Sequence, residues 1–248
     1  MPSLSIITTS DPVARQLPLL LEQLSIHADA MGGSVEVAIV DDLKWWPAEE
    51  AISLKNYPGL SIKVIWYPEH RGQLQAMLSG LHQASADTLL TIDPDMHACV
   101  AEIPAMQALL TEKNYSVVHG VRSVREDASL LRRFGSWLSN TLVRVLCDIS
   151  VADIGSPIAI IRRDDMLALT QASDFNGNPR LYIYSQLGDA LGSYPLQGGS
   201  QSETPSQYSL AQLIQVFFLL IKDCFALRRW ANRHKEASHK HPDKKDHH

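Results

Sequence analysis

The chain has 248 residues, 45% hydrophobic and 20% charged, and carries a formal net charge of -5. This is the profile of a soluble globular protein with a sizeable core, built as one large domain or as a domain with an appendage. It excludes a general nucleic-acid binder, because the acidic body would repel a phosphate backbone. The three cysteines, Cys99, Cys147 and Cys224, are odd in number and show no C-x-x-C spacing. Residues 1–16 lack a basic segment followed by a long apolar run. Both features point to free thiols in a reduced, cytoplasmic compartment and away from secretion.

In chain order, apolar strand-like runs alternate with helical periodicity. Residues 3–8 read as a strand, and 13–27 as a helix with Leu17, Leu20, Leu21 and Leu24 on one face. A strand over 35–40 runs into Asp41-Asp42 and another covers 61–66; 73–84 reads as a helix. A strand over 88–92 then delivers Asp93-Pro94-Asp95. Residues 103–111 read as helix, 116–119 as strand, 130–146 as an amphipathic helix opening with Arg132-Arg133, and 157–161 as a strand closed by Arg162 to Asp165. Residues 174–179 read as a turn and 198–205 as a polar loop, and no internal repeat is visible. This alternation predicts βαβ units and a mainly parallel sheet. Ligands of such sheets bind beyond the carboxyl ends of the strands, where Asp41, Asp42, Asp93 and Asp95 fall.

Two carboxylates one residue apart at a strand end can hold a hard cation such as Mg²⁺ or Mn²⁺, with substrate phosphates completing its oxygen shell. The same triplet also occurs as an ordinary acidic turn, which Pro94 would suit.

From Tyr208 the apolar spacing is helical and broad, but Lys222 and Asp223 interrupt it before the ~20 residues needed to span a bilayer. Arg228, Arg229, Trp230 and Arg233 follow. An in-plane membrane helix has this form, and so does a helix packed on the domain or on a second copy. From Arg228 onward seven Lys or Arg face three acidic residues, a local excess of +4 that leaves -9 elsewhere. Such an end suits anionic head groups, or it is a solvated tail. The division expected is a main domain over 1–205, an amphipathic membrane or packing helix over 206–230, and a basic, His-rich disordered tail over 231–248.

Several segments belong together: Ala38 to Asp42, Arg71-Gly72-Gln73 with Ala76 and Gly80, Thr91 to Asp95, Val117 to Arg122, Leu131 to Ser136, Asp153 with Ser156, and Ser206 to Leu210. In their order and spacing they resemble family 2 glycosyltransferases of the GT-A fold, especially the dolichyl-phosphate mannosyltransferase and polyprenyl-phosphate glycosyltransferase branch. The resemblance covers about Leu4 to Leu227 in consistent order. It implies a Rossmann-like α/β sheet flanked by helices. It also implies a metal-dependent, inverting transfer of sugar from a UDP- or GDP-linked donor to a polyprenyl phosphate or related acceptor. The place implied is the cytoplasmic face of the cell membrane, with residues 210–230 on the membrane surface; a homo-oligomer is left open.

By the same resemblance Asp93, Asp95 and His97 would hold the metal, with Asp93, Asp95 and Asp153 as catalytic residues. Asp41, Asp42, Gln73 and Asp93 would meet the donor, and Arg122, Arg132, Arg133 and Ser136 the acceptor phosphate. The departures from the family pattern cluster at the donor end: Thr9 to Val13, Leu43-Lys44 followed by Trp45-Trp46, His70, and Ser200 to Pro205 with Glu203. Those departures keep a second reading open, a catalytically weak relative that binds or assembles. They also leave open a donor base stacked on Trp45 or Trp46.

Overall fold

A computed structural model of the chain describes residues 1–10, 16–41, 56–66, 78, 80–122, 130–172, 174–175, 177–198 and 210–240. Seven strands form one sheet in the order β3-β2-β1-β4-β6-β5-β7. They are β1 (Leu4–Thr9), β2 (Val35–Asp41), β3 (Leu60–Trp66), β4 (Thr88–Thr91), β5 (Val117–Arg122), β6 (Ala159–Arg162) and β7 (Leu191–Leu196). The six described α-helices are α1 (Gln16–Ile26), α2 (Ile103–Glu112), α3 (Leu130–Cys147), α4 (Arg163–Ala172), α5 (Pro179–Leu187) and α6 (Leu210–Lys240).

Strand β1 runs parallel to both neighbours, with Ile6 opposite Val37 on one side and Leu90 on the other. Side chains alternate across a strand, so the central strands must be apolar on both faces. Leu4, Ile6, Val37, Ile39, Leu90 and Ile160 enter a core closed by α1 and α2, through Leu17, Leu20, Leu24, Ile103 and Met106. Their alternates Ile7, Ala38, Val40, Leu89 and Ile161 enter a second core with Val143 of α3, Leu181 of α5, and Cys224 and Leu227 of α6. Each fully buried Leu or Ile contributes roughly 1.5–3 kcal/mol.

One strand breaks the parallel pattern. β6 is antiparallel to both β4 and β5, placing Leu90 and Val118 opposite Ile160. A strand that enters the sheet from the opposite side begins where its neighbours end. The segment before β6 therefore reaches the same edge as the segments that follow β1, β2, β4 and β5.

Glu36 ties three strands together on their outer face. Its carboxylate accepts from Lys63 Nζ of β3 at 2.8 Å, from the Ser5 hydroxyl of β1, and from the Ser85 backbone N–H and hydroxyl at 2.9 and 3.1 Å. Burial alone would raise its pKa, but these donors, Lys63 foremost, bring it from 4.5 down to about 2. A depressed carboxyl stabilises the fold fully above its unfolded pKa and loses that contribution as pH falls toward the folded one. Urea titrations should therefore show stability falling between pH 4.5 and 2. In Glu36→Gln that fall is reduced, and at neutral pH Glu36→Ala costs roughly 1.5–3 kcal/mol.

Several expected boundaries shift. The strand expected over 116–119 continues to Arg122, and that expected over 157–161 lies at Ala159–Arg162. Asp164 and Asp165 open α4 rather than simply closing a strand, where their charge suits the helix N-terminus. The polar stretch after residue 174 leads into α5, with Asn178 as N-cap and Pro179 in the first turn. The Asn178 side-chain oxygen accepts from the N–H groups of Arg180 and Leu181. Residues 80–83 are helical as expected, while most of 73–79 lies outside the described residues.

Helix α6 extends to Lys240, beyond the expected end at residue 230. The two readings of this segment divide along its length. Cys224 and Leu227 are buried, and Trp230 packs edge-on against Tyr182 of α5, whereas Ile214, Val216, Phe218 and Leu219 are 49%, 52%, 64% and 50% exposed. No described helix is long and apolar enough to cross a membrane.

Candidate active site

The edge formed by the carboxyl ends of the parallel strands gathers four of the expected site residues. Asp93 follows β4 in an extended conformation and precedes a 3₁₀ helix, Pro94–Glu102, whose first turn carries Asp95. Asp95 is exposed and Asp93 half-buried. Arg122, at the end of β5, makes a bidentate pair with Asp153, with Nε to Oδ2 at 2.8 Å and Nη2 to Oδ1 at 3.1 Å. Burial alone would lower the Arg122 pKa, but the bond and charge of Asp153, followed by the charges of Asp95 and Asp93, raise it. The four groups thus form one electrostatic unit at the edge of the sheet.

Asp153 is carried there by the reversed β6, and the loop that holds it is secured from several elements. Asn140 of α3 accepts from the Ile154 N–H at 3.1 Å, and Arg180 of α5 donates to the carbonyls of Ile154 and Ser156. Thr91 of β4 donates to the Pro157 carbonyl, and the His119 ring of β5 bonds the Asp153 carbonyl. Satisfying these backbone groups fixes the loop without any secondary structure of its own.

The floor of the acidic turn is equally constrained. Both carboxylate oxygens of Glu102 accept from the N–H of Gln197, and one also accepts from that of Gly198. A Cβ on Gly198 would lie 2.4 Å from the Ala98 carbonyl oxygen, so only glycine lets the chain leaving β7 pass this close to the 3₁₀ helix at Ala98. Cys99 is buried on the same turn, its thiol pushed up to about 12 by burial and then by Glu102, which removes it as a nucleophile.

The remaining expected residues are placed differently. Asp41 ends β2 wholly buried, accepting from the Ser10 hydroxyl at 3.1 Å. His97 is half-buried, and its Nδ1 is buried with no hydrogen-bond partner among the described residues. Arg133 and Ser136 are exposed near the start of α3, and no hydrogen bond among the described residues joins them to Arg122. The Arg132 side chain, together with Asp42, Gln73, Trp45, Trp46, His70 and Glu203, lies outside the described residues. Glu102, Asn140 and Arg180 carry no recognisable motif, because their partners are distant in sequence; His119 sits within the Val117 to Arg122 segment, but nothing there marks its bond to the Asp153 carbonyl.

No cluster of three His, Cys, Asp or Glu able to hold a metal exists among the described residues. The donor chemistry nevertheless fits Mg²⁺ or Mn²⁺, which are bound by one or two carboxylates and otherwise by phosphate and water. Asp93 and Asp95 provide such a pair on an accessible turn.

A mainly parallel sheet with one reversed strand and a paired-carboxylate turn at its edge defines a GT-A glycosyltransferase architecture. The chain belongs to glycosyl transferase family 2, whose model matches residues 15–168, more than half its length. Among curated relatives it is 29% identical over 212 residues to the undecaprenyl-phosphate 4-deoxy-4-formamido-L-arabinose transferase of Pseudomonas fluorescens (strain Pf0-1), covering 83% of this chain and 60% of the relative. It is 27% identical over 209 residues to the transferase of the same description from Yersinia enterocolitica, covering 83% and 62%. The chain thus spans about 60% of the length of these relatives.

Among solved structures, the Mycobacterium tuberculosis glucosyl-3-phosphoglycerate synthase complexed with phosphoglyceric acid superposes with a TM-score of 0.67 at 16% identity, covering 90% of this chain and 80% of that one. The same enzyme with Mn²⁺ and UDP-glucose gives 0.66 at 17% identity, covering 90% and 79%. At that identity the likeness establishes the fold.

Proposed function

We propose that this chain transfers a sugar, with inversion, from a nucleotide-sugar donor to a polyprenyl phosphate or a related lipid-linked phosphate at a membrane surface. The observation that carries the reading is the convergence of Asp93, Asp95, Arg122 and Asp153 at the ligand-binding edge of the sheet. The family and the descriptions of the curated relatives support it.

In this reading Asp93 and Asp95 hold Mg²⁺ or Mn²⁺ with the donor diphosphate, and the ion supplies charge stabilisation for the leaving group. The acceptor phosphate, with a second pKa near ~6, is already largely ionised at neutral pH and needs no strong base. Arg122 meets it at a side chain 38% exposed. The pair with Asp153 uses Nε and Nη2, so the Nη1 side of the fork remains outside that pair. Arg132, Arg133 and Ser136 extend the phosphate contact along the start of α3, and Asp153 faces the transferred sugar. Membrane contact comes from the exposed apolar residues of α6 and the Arg228-Arg229 pair.

Thermal shift with a panel of UDP- and GDP-sugars tests the donor half of the proposal. A ligand at ~100 times its Kd adds about 2.7 kcal/mol, so at least one donor should raise the melting temperature, and more with Mn²⁺ than with EDTA. No shift with any donor contradicts the reading.

A further inference from the structure

β5 grips Asp153 twice. Arg122 holds its carboxylate, and His119, three residues earlier on the strand, holds its carbonyl. His119 is wholly buried, and each of its ring nitrogens has one partner. Nε2 lies 2.6 Å from the Asp153 carbonyl oxygen, and Nδ1 lies 3.0 Å from the Tyr184 hydroxyl. A carbonyl oxygen only accepts, so Nε2 carries the proton. Burial is the main cause that lowers the His119 pKa to about 4, the bond to Asp153 opposing it only in part. The ring is therefore neutral, Nδ1 is bare, and Tyr184 O–H donates to it.

Tyr184, fully buried on α5, stays protonated because burial raises its pKa. The donors run in one direction, from Tyr184 to His119 to Asp153. Arg180, Asp153 and Arg122 are the charged groups that face the ring.

We propose that His119 is a positioning residue, with Tyr184 setting its tautomer: it fixes the Asp153 carbonyl so that the Asp153 carboxylate stays on Arg122 beside Asp93 and Asp95. The effect on turnover rests on the proposed transfer reaction, while the effect on the loop does not. The Asp153 carbonyl also accepts from the Ser156 N–H of its own loop at 3.0 Å, and Asn140, Arg180 and Thr91 hold residues 154, 156 and 157. His119 is therefore the side chain that ties this carbonyl to β5, and losing it loosens Asp153 relative to the strand that carries Arg122. His119 thus acts through Asp153 and touches no substrate.

Three measurements test this. In ¹⁵N-histidine spectra of the wild type, His119 should show a protonated Nε2 and a bare Nδ1 from pH 6 to 8; the other tautomer or a mixture overturns the proposal. In hydrogen exchange, His119→Leu should speed exchange over residues 148–158 about tenfold or more, and His119→Gln should restore protection, since its amide can donate to the Asp153 carbonyl. Unchanged exchange in His119→Leu, or a Gln variant as exposed as the Leu variant, overturns it. Should His119→Leu not fold, the tautomer and the Gln variant still decide the matter.

In transfer assays, kcat of His119→Leu should drop about tenfold or more with the donor KM within about twofold, and His119→Gln should recover most of it. An equal loss in both variants, or a loss confined to KM, contradicts the positioning role. If the wild type transfers no sugar, the proposed function falls, and the tautomer and exchange results still decide the role of His119.

Discussion

Asp95→Ala is expected to remove the stabilisation that a nucleotide sugar with Mn²⁺ should confer on the wild-type protein, and to lower sugar transfer by roughly 10²–10³-fold. Asp95 is exposed in the first turn of the 3₁₀ helix, so its removal should shift the melting temperature of the unliganded protein little. Its value would lie in charge: a diphosphate leaving group gains negative charge in the transition state, and one carboxylate fewer weakens the hold on the cation that balances it. Asp93 is half-buried two residues beyond the end of β4, so Asp93→Ala would mix a loss of function with a loss of stability. Asp95 is therefore the cleaner probe. A variant that keeps the full Mn²⁺-dependent shift would separate the acidic turn from donor binding.

The second large effect concerns the membrane. If the wild type binds vesicles containing anionic lipid as proposed, the double substitution Trp137→Asp and Phe218→Asp should abolish its sedimentation with them while leaving the thermal melt close to that of the wild type. Both residues are large, apolar and open, at 60% and 64% exposure, one on α3 and the other on α6. Burying each such side chain in lipid contributes roughly 1.5–3 kcal/mol, so losing two lowers partitioning by about 10²-fold or more. Basic residues near the surface add about 1 kcal/mol each, which makes binding fall with salt as well. Removing all of α6 would be a poorer test. Cys224 and Leu227 belong to the core beneath α3 and α5, and deletion would unfold that layer. Equal sedimentation of the double variant would mark these faces as surfaces for protein contact instead.

Much of this arrangement was legible in local patterns. The apolar runs at Leu4–Thr9 and Val35–Asp41 state their strands directly, and Thr88–Thr91 followed by Asp93-Pro94-Asp95 locates the acidic turn at the strand end. Buried parallel strands must be apolar on both faces, which makes them conspicuous. What local pattern did not carry was direction. Nothing in Ala159–Arg162 announces that it runs against its neighbours, yet that reversal is what brings Asp153 to Arg122.

The clamp on the Asp153 loop was illegible for a related reason. Asn140, Arg180, Thr91 and His119 reach it from four elements, and only the folded sheet makes them neighbours. By contrast, the start of α5 was open to reading in Asn178-Pro179, an N-cap followed by proline, although the Asn-Gly-Asn-Pro string invites a turn. Helix α6 shows why a hydrophobic pattern cannot choose a partner. The same apolar spacing serves an exposed face near Phe218 and a packed one at Cys224 and Leu227.

Transfer of sugar to a lipid phosphate at the Asp93–Asp95 turn is tested best by direct labelling of the lipid. Wild-type protein is mixed with vesicles containing undecaprenyl phosphate, Mn²⁺ and each of a panel of radiolabelled UDP- and GDP-sugars, and label is counted in the lipid extract. One donor should label the lipid, EDTA should prevent it, and Asp95→Ala should reduce it by roughly 10²-fold or more. No labelling with any donor, or labelling that Asp95→Ala leaves unchanged, would contradict transfer at this turn.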